Sequence, residues 1–274
     1  GKSGESGRSY LLNPYTGEIL ENSTRWHRVY EVILKIHRNL GVGRPGQVIM
    51  GASALILLSL IISGLVLQFK RTRTWGQFFG LNRARSKPLA PGRWRWMHAS
   101  LGIWLTPLLL IIALTGPVWS FESYRTLLGW LTFSSPEYGS TPGLQEISVQ
   151  QVNAPAIFEG AERFVPENGA MRLIMPSGPA SPARFEWAPS EAPYENFRSR
   201  AYLDPTTGEL LKLEPLSEYT RAHTLIRWAY PLHIGKWGGS ATQFLHALSA
   251  LAVPFFGISG LYLYLKRNRK RQTP

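Results

Sequence analysis

Three long segments without a charged residue constrain the fold of this chain more than any other feature. They are Val48–Phe69, Leu101–Phe121 and Ala241–Leu265, of 22, 21 and 25 residues. A helix needs about 20 apolar residues to cross a bilayer core of about 30 Å. Each segment is long enough, so the sequence predicts an integral membrane protein with three spans.

Charged residues are sorted between the segments that join these spans. The loop at 70–97 holds eight lysines and arginines and no acid, and the tail at 266–274 holds five bases. The segment at 122–240 holds 13 acids against 10 bases. Because cytoplasmic loops are enriched in Lys and Arg, we predict that the loop and the tail are cytoplasmic and that 122–240 and 1–46 lie outside. The formal net charge of +13 is then a topology signal and does not indicate nucleic-acid binding.

The region around the first span is repeated around the last span at an offset of 196 residues. His37 falls on His233, and Ser63 falls on Ser259. The chain therefore holds one and a half copies of a unit made of a span, an external module, a histidine-bearing approach and a second span. The repeat predicts a further span before residue 1.

The segment from about 144 to 213 has the pattern of a small α+β module. Val149–Phe164 has apolar residues at helical spacing, and four short runs are typical of strands. These runs are Met171–Met175, Arg184–Trp187, Arg200–Leu203 and Leu210–Leu213. A turn motif at Asp204–Glu209 closes the module, and residues 13–18 match it in the first half of the repeat.

Together these signals divide the chain into seven parts. We predict the end of a first external module and an amphipathic approach helix at 1–46, spans at 47–69, 98–121 and 241–265, a basic cytoplasmic loop at 70–97, an external region with its module at 122–240, and a basic cytoplasmic tail at 266–274. The predicted fold class is a membrane all-α helical bundle, with three spans here and four in the intact protein, that carries external α+β modules.

Four motifs, taken in order, resemble those of the PepSY-associated transmembrane family. One closes a PepSY module and three stand beside the spans: Tyr202–Glu209, Leu232–Gly235, Ile36–Leu40 and Met97–Gly102. The resemblance covers nearly the whole chain and implies a bacterial inner-membrane protein with periplasmic modules and usually four spans. Members resemble iron-uptake factors, and some are ferric-siderophore reductases that bind two haems. The resemblance therefore implies haem b as cofactor, with two haems in the intact protein.

Histidines at the two membrane faces are the candidate ligands of that haem. A bis-histidine haem needs two neutral imidazoles on opposite sides of the ring. His37 and His233 form the best pair, because the repeat puts them at equivalent depth on the external side. His98, on the cytoplasmic side of the middle span, would ligate a second haem with a histidine of the further span. The alternative is that these are interfacial histidines that cap the spans.

Further candidates lie near these histidines. His246 lies inside the last span and is an alternative external ligand. His27 and His223 match each other in the repeat and would carry protons, contact a haem propionate or ligate iron, unless they are surface histidines of amphipathic helices. Arg38 and Arg227 would pair with haem propionates or attract an anionic iron chelate.

The predicted function is haem-dependent transmembrane electron transfer that reduces a ferric siderophore on the periplasmic side during iron uptake. No Rossmann fingerprint is found in the sequence, so the electron donor is a separate, unknown partner. The absence of cysteine excludes disulfides, thiolate metal sites and covalent c-type haem. Two alternatives stay open: a non-redox anchored protein whose modules bind peptides or inhibit a protease, and an accessory subunit of siderophore import.

Overall fold

The computed structural model describes residues 11–12, 18–20, 25–80, 91–136, 151–165, 171–177 and 181–272. The antiparallel pair of strands β1 (Leu11–Leu12) and β2 (Ile19–Leu20) is followed by α1 (Arg25–Asn39), α2 (Arg44–Arg71), α3 (Trp75–Phe78), α4 (Pro91–Thr115), α5 (Pro117–Ser120), α6 (Glu122–Thr132) and α7 (Ala154–Glu162). Strands β3 (Met171–Ile174), β4 (Ala183–Trp187), β5 (Ser199–Leu203) and β6 (Leu210–Glu214) precede α8 (Arg221–His233) and α9 (Gly239–Gln272). Residues 13–17 of the predicted turn motif and 144–150 of the predicted module lie outside the described residues.

Three helical stretches are long and apolar enough to cross a membrane. They are Arg44–Arg71, Gly92–Ser120 and Lys236–Arg267, and they coincide with the three predicted spans. Helix α4 is the central one, because it packs against both α2 and α9. The most apolar part of α4 is 33% buried by the rest of the protein, whereas that of α2 is 6% buried. The outer faces of α2 and α9 are thus left for lipid or for further helices.

The middle and last helices differ from the predicted bounds in ways that the sequence explains. The middle helix begins at Pro91 and ends at Thr115, and Pro117 starts the short α5. Proline has no amide hydrogen with which to continue the hydrogen-bond ladder of α4. Helix α9 continues past the predicted span to Gln272, because no Gly or Pro lies between Gly260 and Gln272 to stop it.

The module is an antiparallel sheet in the order β3-β4-β5-β6, with α7 against one face. Each predicted strand is present within one residue of its predicted bounds. Helix α7 is shorter than predicted, because the Asn153 side chain accepts a hydrogen bond from the Ala156 amide at 3.3 Å and caps the helix there. The core is formed by Ile157, Ala161, Ala183, Phe185, Ala201 and Leu203. The predicted fold class, a bundle of spans with an α+β module, is confirmed.

The turn motif that closes the module has a structural role. The Asp204 carboxylate accepts hydrogen bonds from the amides of Thr206 at 2.8 Å and Thr207 at 3.0 Å. The hydrogen bond from the Thr206 side chain is the main cause that lowers the pKa of Asp204. Gly208 has φ +73°. A Cβ on Gly160 of α7 would overlap the carbonyl oxygen of Gly208. The motif therefore forms a tight turn on which α7 rests without an intervening side chain.

The sequence repeat is also a repeat of the backbone. Helices α1 and α8 begin at Arg25 and Arg221, which are 196 residues apart. Gly43 has φ 72° and ψ −139° just before α2, and Gly239 has φ 71° and ψ −155° at the start of α9. These values lie in a region that glycine adopts far more readily than other residues. Both approach helices thus turn into their spans in the same way, which brings the ends of α1 and α8 to the same end of the bundle.

Candidate functional site

His37 and His233 meet at the end of the bundle nearest the module. His37 lies in the last turn of α1, and His233 is the last residue of α8. Their ring centroids are 6.0 Å apart and their planes are inclined by 44°. The His37 side chain is exposed and that of His233 is half-buried. The structure thus brings together the two histidines that the repeat pairs.

A threonine of the middle span orients His233. Nδ1 of His233 lies 2.8 Å from the hydroxyl of Thr115, which donates its own hydrogen to the Ile111 carbonyl at 2.6 Å. The hydroxyl oxygen therefore accepts a hydrogen bond from Nδ1–H, and the lone pair of the neutral ring is on Nε2. Burial, followed by the neighbouring His37, lowers the pKa of His233 to about 4. The imidazole is neutral at physiological pH and keeps one nitrogen available as a ligand.

One wall of this pair comes from the junction of α4 and α5. The Trp119 ring meets His233 edge-on, with the centroids 5.4 Å apart. The Trp119 carbonyl accepts a hydrogen bond from the Gln47 side chain at 2.6 Å, which ties α5 to α2. A Cβ on Gly116 would lie 3.7 Å from Cε1 of His233, so this side of the ring has little room for a larger side chain. The position of His233 is thus determined by its own helix α8, by Thr115 of α4 and by Trp119 of α5.

His246 lies close to the pair and is buried, with 4% of its surface exposed. Its Nδ1 lies 3.0 Å from the Thr242 carbonyl, so this nitrogen carries the hydrogen. Its Nε2 is buried and has no hydrogen-bond partner among the residues that the structure describes. Gly235 has φ +74°, and a Cβ there would come within 2.9 Å of the His246 ring. His246 is therefore a second candidate for the same centre, as the sequence predicts.

The spacing of His37 and His233 suits a metal centre that lies between two imidazoles. Two metal–nitrogen bonds of about 2.0–2.1 Å, with iron between the rings, put the ring centroids roughly 6 Å apart. The described residues contain no group of three or more histidines and carboxylates that would hold a bare metal ion. Two imidazoles at this spacing fit the ligands of a bis-histidine haem, and the assignment of His37, His233 and His246 to such a group stays a prediction.

His98 lies toward the opposite end of the bundle. Its Nδ1 is 2.7 Å from the hydroxyl of Ser259, which donates to the Phe255 carbonyl at 2.7 Å. As with His233, the ring is left with its lone pair on Nε2. Residues 98 and 115 of α4 are 17 positions apart, which is roughly 26 Å along a helix. In the part of the chain that the structure describes, the ring of His98 contacts Phe256 and no other histidine.

The remaining candidates are His223, Arg227, Arg38 and His27. His223 is buried, and its Nε2 accepts a hydrogen bond from Nε of Arg227 at 2.9 Å. Burial, followed by the Arg227 charge, lowers the pKa of His223 to about 3. Arg38 is exposed beside His37 in the last turn of α1. The side chain of His27 lies outside the described residues.

Sequence reasoning missed the hydroxyl partners of the histidines. Thr115 and Ser259 sit inside apolar spans, where a hydroxyl readily bonds to the carbonyl four residues earlier in its own helix. One sequence feature pointed to Ser259, because this residue belongs to the repeat and matches Ser63. No sequence feature pointed to Thr115, because its contact with His233 joins residues that are 118 positions apart.

Comparisons with known proteins agree with this architecture. The family model described as "PepSY-associated TM region" matches residues 1–267. The chain is also similar to the "Uncharacterized protein PA4219" of Pseudomonas aeruginosa, with 26% identity over 267 residues. That match covers 87% of this chain and 64% of the relative, so the chain spans somewhat less than two thirds of the relative's length. The protein is thus a membrane protein that belongs to the PepSY-associated TM region family.

Proposed function

We propose that this membrane protein holds b-type haem between His37 and His233 and transfers electrons across the membrane to a ferric siderophore during iron uptake. The observation that carries the proposal is the meeting of the two repeat-related imidazoles, with ring centroids 6.0 Å apart. The bound haem would supply a one-electron redox centre. His98 would hold the second haem of the intact protein at the other end of the bundle.

The chain's own residues would prepare the site for such a ligand. The hydrogen bond to Thr115 holds His233 in the tautomer whose Nε2 is free, and its low pKa keeps that nitrogen unprotonated. Ser259 does the equivalent for the tautomer of His98. Such partners of a ligating histidine orient the ring and raise its basicity. In three described histidines, His98, His233 and His246, a hydrogen bond at Nδ1 leaves the lone pair on Nε2.

The charge pattern supports the direction of transfer that we propose. The basic loop at 70–97 and the basic tail at 266–274 favour a cytoplasmic position. The module and the His37–His233 pair would then lie on the periplasmic side of the bacterial inner membrane. Exposed Arg38 beside His37 would attract an anionic iron chelate to this face.

Haem reconstitution of the purified chain tests the proposal. The chain is purified in detergent and titrated with haem, and reduced-minus-oxidised spectra are recorded. We expect a sharp α band from the wild type, with one haem lost in His37→Ala and in His233→Ala. Tyr30→Ala is the matched control, since it removes a ring that is 59% exposed and lies seven positions, or about 10 Å, before His37 on the same helix; it should keep the wild-type haem content.

Two results would decide against the proposal. A chain that stays colourless after reconstitution would leave the anchored peptide-binding module or the accessory import subunit as the function. An unchanged haem-to-protein ratio in His233→Ala would remove that residue from the site and direct attention to His246. If haem is bound, the reduced protein should be reoxidised by a ferric siderophore, with ferrous iron captured by a chromogenic chelator.

A further inference from the structure

The short segment that follows α2 packs along the side of the bundle. It consists of α3 and the next two residues, Phe79 and Gly80, and its rings form a row that ends on the middle span. The Trp75 and Phe79 rings stack with their centroids 6.1 Å apart, and the centroids of Phe79 and Trp104 are 5.6 Å apart. Trp104 belongs to α4 and is 58% exposed. The segment at 75–80 is therefore joined to the outer, bilayer-facing side of α4.

Side chains of the two neighbouring spans bind the backbone of this segment. Each carbonyl from residue 77 to residue 80 accepts a hydrogen bond from α2 or α4. The donors are Gln68 to Gln77 and Phe78 at 3.4 and 3.0 Å, Trp104 to Phe79 at 3.0 Å, and Trp96 and Ser100 to Gly80 at 3.1 and 3.4 Å. Irregular backbone occurs at membrane depth only where protein groups satisfy it. These four carbonyls meet that requirement.

The donors also indicate how deep the segment lies. Trp104 is the fourth residue of the uncharged run Leu101–Phe121, and Gln68 is the last but one of the run Val48–Phe69. Both donors thus lie just inside the ends of two spans, where the apolar core of a bilayer meets its headgroups. Tryptophan is enriched at this depth. A Cβ on Gly80 would overlap the hydroxyl of buried Ser100, so the backbone lies directly on α4.

Three exposed bases flank the row of rings. They are Lys70, Arg71 and Arg73, and the nearby Trp75 is 74% exposed. Residues 47–120 contain no Asp or Glu, so neither span supplies an acid to pair with these bases. Aromatic rings suit the boundary between acyl chains and headgroups, and nearby bases attract anionic phospholipids. The segment and its flanking bases are thus complementary to an anionic lipid in both parts.

We propose that the segment at 75–80 is an interfacial anchor that binds anionic phospholipid, with its phosphate at the three flanking bases. The row of rings continues onto Trp104, on a side of α4 that lipid covers in a membrane protein. This continuity favours lipid over a protein partner as the occupant. The inference is independent of haem.

The anchor would also hold the first turns of α4 in place. Trp96 and Ser100, which both bond Gly80, stand two residues before and after His98. Two residues turn a helix by about 200°, so they lie on the side opposite His98. The His98 ring faces Ser259 of α9. The anchor therefore supports α4 on the side away from this contact with α9.

Quenching of a single fluorophore by nitroxide lipids tests the anchor in the full chain. The chain has no cysteine, so Trp75→Cys places one bimane label on the segment. Nanodiscs contain phosphatidylcholine and phosphatidylglycerol, and one or the other carries a nitroxide on its acyl chain at equal mole fraction. We expect quenching by both lipids, and quenching by the phosphatidylglycerol form should be at least about twofold greater.

Two reference positions and one charge variant make the outcome decisive. A label at Leu60→Cys, on α2 and 62% exposed, should be quenched by both lipids without preference, and a label at exposed Glu191→Cys of the module by neither. Replacement of the three flanking bases by Gln should abolish the preference at position 75.

Three results would overturn the proposal. Absence of quenching at position 75 would place the segment in water or beneath a protein partner. Equal quenching by the two lipids would exclude selection of an anionic headgroup. A preference that survives the loss of the three flanking bases would exclude them as the phosphate ligands.

Discussion

Replacing Thr115 by Val removes the contact that orients His233 and changes little else. The Thr115 hydroxyl lies 2.8 Å from Nδ1 of His233, and the residue is 8% exposed. Valine has nearly the same shape but cannot accept a hydrogen bond. In Thr115→Val, the His233 ring therefore loses this hydroxyl partner in a site that water reaches poorly, and it keeps its interaction with the Ile112 carbonyl.

The structure gives the size of the expected effect. Removal of a partner from a buried hydrogen-bonding group costs up to about 1–3 kcal/mol. Loss of the group that supports a metal-ligating histidine typically lowers metal affinity about 10–100-fold, which corresponds to about 1.4–2.8 kcal/mol. The two ranges agree, so the dissociation constant for haem should rise by about one to two orders of magnitude.

Haem titration of the apo protein in detergent, followed at the Soret band, measures this constant. Thr115→Ser keeps the hydroxyl and should bind nearly as the wild type does. Thr106→Val is the matched control within the same span, because the Thr106 hydroxyl bonds only its own helix, at the Gly102 carbonyl. Equal affinity of Thr115→Val and wild type would refute the orienting role of Thr115, and an equal loss in Thr106→Val would show a general effect on the span.

Three further predictions concern the stability of the folded chain, measured by thermal melting. Because the pKa of buried His223 is about 3 in the folded state and 6.5 when unfolded, the unfolded chain takes up the proton first. The free energy of unfolding should fall as the pH drops from 6.5 toward 3, by up to about 1.4 kcal/mol per pH unit, and His223→Gln should flatten this dependence. Gly160→Ala should cost roughly 1–3 kcal/mol, because its Cβ would overlap the Gly208 carbonyl; unchanged melting would contradict the close approach. Glu186→Gln should cost about 3–5 kcal/mol by leaving four arginines without their shared anion, whereas Glu191→Gln on an exposed loop should have little effect.

The elements of the fold were predictable because their signals are local. A span is recognised by the length of its apolar run, and a strand by alternation over four or five residues. The four strands of the module accordingly lie within one residue of their predicted bounds. The bound of α7 was wrong because a single side chain, that of Asn153, caps the helix there. The middle span ends at Ser120, within one residue of its predicted end, although Pro117 begins a separate short helix inside it.

The candidate site was predictable only in part. The repeat predicted that His37 and His233 correspond, and the structure places them in contact. Arg227 was predicted as a partner of a haem propionate because it lies near His233 in the sequence; the structure shows its Nε hydrogen-bonded to His223, and its role at a haem stays a prediction. Six residues along a helix turn a side chain to a different face, and which face meets which neighbour depends on how α8 packs.

The sequence by itself determined that the chain enters a membrane, where its spans lie and which histidines correspond, because these follow from composition and from the 196-residue repeat. Only the tertiary structure decided which nitrogen of each histidine is free. That choice depends on Thr115 for His233 and on Ser259 for His98, through contacts between residues 118 and 161 positions apart. A hydrogen bond over such a separation exists only after α4 has packed against α8 and α9, and no local pattern of residues encodes that packing.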